Sequence, residues 1–360
     1  MADKPVIKEL PEKTTIIVGE KAELTCEASG DPQPSVTWIP SQPPRNFSVI
    51  VSSSASVTAS WKLPSDQSRN GIVLGFKLYY KKTGSSGLPN TLTIRNESVG
   101  TVVVTGLDKY TEYEFQVLAF TSVGDGPKSS AEVARTKEDV PSKAPSNFSV
   151  TANNSTSITA SWQLPPADSR NGVITGFKLF FKERGSAGLP AALTMSNGQI
   201  RFKHVTGLDK YSEYEFQVLA FTSTGDGPRS AVAVERTMED VPSKAPSNFS
   251  VTASNSTSIT ASWQLPPADS RNGVITGFKL FFKKRGSAGL QAALTMSNRQ
   301  IRFKHVTGLE KYSEYEFQLL AFTSTGDGPR SAVAVERTME DAPSAPLSFA
   351  YKEVAPNKMH

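Results

Sequence analysis

Ser157-Ile-Thr-Ala-Ser-Trp162-Gln-Leu-Pro-Pro-Ala-Asp-Ser-Arg-Asn171-Gly-Val-Ile-Thr-Gly-Phe177-Lys-Leu-Phe-Phe181 holds two runs of alternating side chains with a break between them. Ile158, Ala160 and Trp162 alternate with Thr159, Ser161 and Gln163; Phe177, Leu179 and Phe181 alternate with Lys178, Phe180 and Lys182. A period of two puts one face of each run in a core and the other in water, which is the pattern of a β-strand. Pro165-Pro and Asn171-Gly supply the turn chemistry between them. Downstream, Tyr214, Phe216, Val218 and Ala220 alternate with Glu215, Gln217 and Leu219, between turns at Gly207 and at Gly225-Asp-Gly-Pro. Several short strands with no helical period between them predict an all-β fold, an antiparallel two-sheet sandwich.

The same reading applies three times. Trp61, Trp162 and Trp263 are 101 residues apart, as are Tyr113, Tyr214 and Tyr315, and the dipeptide Pro-Ser recurs at Pro40, Pro141, Pro242 and Pro343. Units of this size are domains in tandem, unlike short solenoid repeats that need neighbours to close a core. The expected division is 1–39, then sandwiches at 40–140, 141–241 and 242–342, then 343–360. The second and third differ at seven positions: Asn153/Ser254, Glu183/Lys284, Pro190/Gln291, Gly198/Arg299, Asp209/Glu310, Val218/Leu319 and Val241/Ala342.

Composition narrows the function. One Cys and three His in 360 residues exclude a disulfide framework and a Cys/His zinc cage, and no cofactor is expected. A net charge of +5 is modest for this length, so no nucleic-acid partner is expected. No apolar run is long enough to span a membrane, and the start, Met1-Ala-Asp-Lys-Pro, is too polar for a secretory signal, so the chain is expected to be intracellular or a piece of something longer. No phosphate-binding Gly-rich loop, Gly-x-Ser-x-Gly elbow or phosphatase cradle around Cys26 occurs, so no catalytic activity is expected. Arg-Gly-Asp and Trp-Ser-x-Trp-Ser are also absent.

The order of these motifs, Trp162, Pro-Pro, Asn171-Gly-Val-Ile-Thr-Gly-Phe177, Leu208 six residues before Tyr214, then Gly225-Asp-Gly-Pro, resembles a fibronectin type III domain in each unit. The resemblance implies a core built on Trp61, Trp162 and Trp263, on Leu107, Leu208 and Leu309, and on Tyr113, Tyr214 and Tyr315, without a disulfide. Val18-Gly-Glu-Lys-Ala-Glu-Leu-Thr-Cys26 through Trp38 resembles the first strands of an immunoglobulin domain of the intermediate set, lacking the half that carries its second Cys. Half a sandwich leaves strand edges open, so residues 1–39 are expected not to form a stable domain. The tail from Pro343 looks like the first strand of a fourth type III unit.

Glu138-Asp-Val-Pro-Ser-Lys-Ala-Pro and its copy from Glu239 restrict the backbone through proline and favour an extended connection. The expectation is a semi-rigid array spanning roughly 100 Å. This layout resembles animal cell-surface receptors with immunoglobulin and type III domains: sidekick-like and Down-syndrome-type adhesion molecules, the neogenin group and receptor tyrosine phosphatase ectodomains. It implies a fragment of an adhesion or recognition receptor on the extracellular side of the plasma membrane, with cell-surface or extracellular protein partners. Giant muscle proteins mix the same domains inside the cell, but carry an acidic Gly-rich segment where this chain has Ser169-Arg-Asn-Gly. A receptor phosphatase ectodomain is the third reading.

Candidate sites lie on the surface. N-glycosylation sequons occur at Asn46, Asn96, Asn147, Asn153, Asn154, Asn248 and Asn255. In the third unit Lys279, Lys283, Lys284 and Arg285 lie on one strand and its exit, and Arg299, Arg302, Lys304 and His305 lie near the next. If those strands are neighbours, the cluster could hold a sulfated polysaccharide by Coulomb attraction; the competing reading is charge that blunts strand edges. His204 and His305 are expected to face solvent, with Lys203 and Lys304 on the inward phase at an edge or bulge. Phe180, Phe281 and Tyr79 fall on the outward phase, where an exposed ring marks a contact face with a module or partner; the competing reading is a ring covered by long neighbouring side chains.

Overall fold

The computed structural model describes residues 3–9, 27–34 and 41–343. Cys26, Trp38 and the tail from Ser344 lie outside the described residues. At the N-terminus β1 (Asp3–Glu9) and β2 (Glu27–Asp31) pair antiparallel as a two-stranded sheet.

Two compact units divide the chain, the first carrying the first sandwich and the second carrying the other two. The first sandwich consists of β3 (Arg45–Ser53), β4 (Ser56–Lys62), β5 (Gly75–Lys82), β6 (Asn90–Ile94), β7 (Thr101–Thr105), β8 (Glu112–Phe120) and β9 (Glu132–Arg135). One sheet has the order β3-β4-β7 and the other β6-β5-β8-β9.

In the second unit, the second sandwich runs β10 (Ser146–Asn154), β11 (Ser157–Gln163), β12 (Gly176–Glu183), β13 (Ala191–Met195), β14 (Phe202–Thr206), β15 (Glu213–Thr222), β16 (Gly225–Asp226) and β17 (Ala233–Arg236). The third repeats it as β18 (Ser247–Asn255), β19 (Ser258–Gln264), β20 (Gly277–Lys284), β21 (Ala292–Met296), β22 (Phe303–Thr307), β23 (Glu314–Phe322) and β24 (Ala334–Arg337). Its sheets are β18-β19-β22 and β21-β20-β23-β24, all pairs antiparallel.

Each core lies between its two sheets. In the second sandwich Ile158, Ala160, Phe177, Leu179, Phe216 and Val218 are fully buried, and Trp162, Leu208 and Tyr214 join them. Trp61, Leu107 and Tyr113 occupy the same places in the first core, and Trp263, Leu309 and Tyr315 in the third. The indoles pack at a tilt on Phe76, Phe177 and Phe278, centroids 5.3–5.4 Å apart, a favourable arrangement for aromatic quadrupoles. Each indole N–H is buried with no acceptor among the described residues.

Alternation fails within β15. Leu219 has the outward phase but is only 4% exposed. Its strand is central in its sheet and Lys178 stands opposite it. The Lys178 ammonium reaches along that face to Asp226, 2.7 Å away, and over the Phe221 ring. Long amphipathic side chains therefore roof the outer face where the sheet is broadest.

Three further contacts close each sandwich. The Tyr214 hydroxyl accepts the Asp209 N–H at 2.9 Å, and Tyr113 and Tyr315 do the same for Asp108 and Glu310. Thr237, 1% exposed, donates to the Asp209 carbonyl and accepts the Ser212 N–H. Thr136 and Thr338 repeat this.

Candidate functional site

The segment Glu239-Asp-Val-Pro-Ser links the second and third sandwiches, and it is bonded to both. Asp240 Oδ2 accepts from Lys210 Nζ at 2.8 Å and from Ser155 Oγ at 3.1 Å, both on the second sandwich. The Asp240 N–H donates to the Asn272 carbonyl at 2.8 Å, and its carbonyl accepts from Thr323 Oγ1 at 3.0 Å, both on the third. Glu239 accepts from the Val274 N–H and from Ser324 Oγ. Asn272 Nδ2 donates to the Val241 carbonyl, and the Ser243 N–H to the Ser270 carbonyl. Asn272 sits at φ 52°, a left-handed conformation that asparagine tolerates. Gly328 packs so closely on Pro242 that an added Cβ would lie 2.9 Å from the proline Cβ.

Lys210 and the Val241 N–H hold the Asp240 carboxyl below the ordinary aspartate range, with Ser155 adding to the effect and burial opposing it. Asp139 has the same partners in the first sandwich, Lys109 and Ser54, and Asp341 has Lys311 and Ser256 in the third; both carboxyls are lowered too. Proline in the linker points to restricted backbone but not to these clasps. The available signal was the Glu-Asp pair itself, which recurs every 101 residues with an equivalent Lys and Ser upstream.

Beside this junction is a cleft of about 610 Å³ bordered by Glu183, Asp209, Lys210, Tyr211, Asp269 and Arg271. Among the described residues no group of three or more His, Cys, Asp or Glu could hold a metal ion.

The basic cluster proposed from sequence is split. β20, with Lys279, Lys283 and Lys284, belongs to one sheet of the third sandwich; β22, with Lys304 and His305, belongs to the other. The condition that the strands be neighbours is not met, because the chain crosses between sheets in the loop and β21 that separate them. The β20 cations are also neutralised: Lys279 pairs with Asp327 at 2.7 Å, Lys283 with Glu316, Lys284 with Glu310, and Arg285 with Glu314 at 3.1 Å. Arg299 and Arg302 instead line a separate cleft of about 340 Å³ together with Arg271, which sequence reading did not single out.

β14 and β22 are edge strands with continuous register. Lys203 stands opposite Ala160 on the inward phase yet is exposed, since the edge lets its side chain escape. His204 and His305 are on the outer face, with Nδ1 2.7 Å from Thr159 and Thr260. Phe202, 55% exposed, meets His204 edge-on. Arg229 covers Phe180 at 3.7 Å from the ring centroid, Arg330 covers Phe281 equally closely, and Lys128 covers Tyr79 at 4.0 Å. The seven sequon asparagines are all exposed.

Tandem antiparallel sandwiches joined by a bonded linker define a modular, multi-domain protein. The fibronectin type III domain profile matches residues 42–135, 143–236 and 244–337, and the chain belongs to this family. An immunoglobulin I-set domain profile matches residues 5–65. Protein sidekick-1 of Gallus gallus is 32% identical over 88% of this chain, the cell adhesion molecule Dscam2 of Drosophila melanogaster 34% over 88%, and the tyrosine-protein phosphatase Lar of the same fly 33% over 86%. This chain spans only 15%, 16% and 15% of their respective lengths. The crystal structure of the chicken CNTN1 FN1–FN3 domains is 22% identical, with a TM-score of 0.44, covering 84% of this chain and all of that one. Among the described residues no helix is long and apolar enough to cross a membrane.

Proposed function

We propose that this chain is part of a cell-surface adhesion or recognition receptor, in which the type III array is a semi-rigid spacer and a surface for protein partners. The observation that carries the reading is Asp240, whose side chain is bonded to one sandwich and whose main chain is bonded to the next. A linker held at both ends resists bending and so sets distance and orientation. Similarity to proteins named as cell adhesion molecules supports the extracellular placement and the protein partners. The role is non-catalytic.

Residual dipolar couplings on the full chain test the spacer. A single alignment tensor shared by the second and third sandwiches is expected; independent tensors would overturn it. The placement is tested by surface biotinylation of cells expressing the full-length transcript, with labelling expected and its absence decisive against a receptor. Similarity to Lar favours a second reading, a receptor phosphatase ectodomain, which the same transcript tests by the presence of a downstream phosphatase domain.

A further inference from the structure

We propose that the cleft of Arg271, Arg299 and Arg302 in the third sandwich binds a sulfate-bearing sugar unit of a polysaccharide. The inference is independent of the spacer reading. Three arginines line it, and none of them forms an ion pair among the described residues, whereas the β20 cations of the same sandwich are all paired. Arg271 Nε donates to the Pro266 carbonyl, and Arg302 Nη1 donates to the carbonyls of Arg299 and Ile301. These bonds fix both side chains while leaving other N–H donors of each fork free for an oxyanion. Arg302 is further held over the Phe278 ring. Arg299 is exposed, and its side chain makes no hydrogen bond or ion pair among the described residues. The linker carboxylate of Glu239 is engaged by the Val274 N–H and Ser324.

The cleft is more than an anion hole. Leu265, Val274 and Ile275 line it beside the arginines, and its volume of about 340 Å³ exceeds what a lone sulfate fills. A sulfated sugar ring presents an apolar CH face and a charged substituent together, which matches an aliphatic wall flanked by guanidiniums. Lys304, on the inward phase of edge strand β22, is two residues from Arg302 and makes no ion pair among the described residues.

The repeats act as internal controls. At the three equivalent positions the first sandwich has Arg69, Glu97 and Gly100, and its Arg69 is paired with Asp66. The second has Arg170, Gly198 and Arg201; the third has Arg271, Arg299 and Arg302. Arg170 and Arg201 make the same backbone bonds as Arg271 and Arg302, so the frame exists twice and the third guanidinium once. At Gly198 a Cβ would lie 2.0 Å from the Ile174 carbonyl oxygen, so the loop of the second sandwich has no space for a side chain. The loop of the third sandwich holds one, and Ile275 is buried there while Ile174 is half-buried.

Binding of a size-defined heparin oligosaccharide to the full chain, followed by titration calorimetry at fixed salt, tests the proposal. Arg299→Gly installs the residue the second sandwich already tolerates, so the fold is retained. Loss of one charge-assisted contact is expected to weaken binding at least about tenfold, while Lys143→Gln, an equal charge loss on the second sandwich, leaves it unchanged. Equal losses in the two variants, or no loss in Arg299→Gly, would overturn the site. Inorganic sulfate and phosphatidylserine vesicles form the other arms. Weak binding of both supports the polysaccharide; affinity for inorganic sulfate equal to that for the oligosaccharide, or tighter binding to vesicles, overturns it.

Discussion

Lys210 Nζ lies 2.8 Å from Asp240 Oδ2, and this ion pair ties the linker to the second sandwich at the residue whose main chain ties it to the third. Both side chains are about one-third exposed, so the pair is screened and contributes modestly to global stability. Its effect is geometric. It removes freedom from a linker already restricted by Pro242, and ordering a few residues costs little once the two sandwiches are folded.

Asp240→Asn is therefore expected to loosen the junction without unfolding either sandwich. Dipolar couplings should show a smaller degree of order for the third sandwich relative to the second, while thermal melting changes little.

Acid should have the same effect on the wild-type chain. The Asp240 carboxyl is lowered, first by Lys210, then by the Val241 N–H, so its contribution is fully present above the unfolded aspartate value of about 3.9 and is lost as pH falls through the lower folded value. Dipolar couplings measured as pH is lowered below about 4 should lose junction order in the wild type, and Asp240→Asn should show no corresponding step.

Thr237→Val tests the buried clasp at the end of β17. Valine matches the shape but leaves the Asp209 carbonyl and the Ser212 N–H without the Thr237 hydroxyl. A loss of about 1–3 kcal/mol is expected in urea unfolding of the second sandwich, and an unchanged midpoint would show that these groups find other partners.

Gly277→Ala tests the close approach of β20 to its neighbours. A Cβ there would lie 2.2 Å from the Met296 carbonyl oxygen and 2.5 Å from Phe322 Cζ. Overpacking on this scale is expected to cost about 1–3 kcal/mol, read as a lowered unfolding midpoint confined to the third sandwich.

The exposed sequons predict glycan attachment if the chain passes through the secretory pathway. Expression in a secreting animal cell should give a species that a glycosidase shifts on a gel, and Asn→Gln changes should remove the shift stepwise. A mobility that glycosidase leaves untouched would withdraw one support for an extracellular home.

The strand pattern was legible because period two is a local property: Ile158, Ala160 and Trp162 need only their own spacing to mark an inward face. The alternation could not reveal that Leu219 is buried, because its roof comes from Lys178 on another strand. Nor could it show that Lys284 and Lys304 lie in different sheets. Sheet membership depends on which strands pair, and these pairings join residues far apart in the chain.

What the sequence by itself determined is the number of sandwiches and the inward faces of the strands that hold Trp162, Phe177 and Tyr214, carried by local periodicity and by a repeat of 101 residues, while the order of the motifs gave the resemblance to the family. Only the tertiary structure decided the use of the surface charges. It paired the β20 cations with carboxylates on β23 and nearby loops, left Arg271, Arg299 and Arg302 together around one cleft, and set Asp240 between two sandwiches. The reason is that a charged side chain is defined by what lies within a few ångströms of it, and those neighbours come from strands and loops tens of residues away.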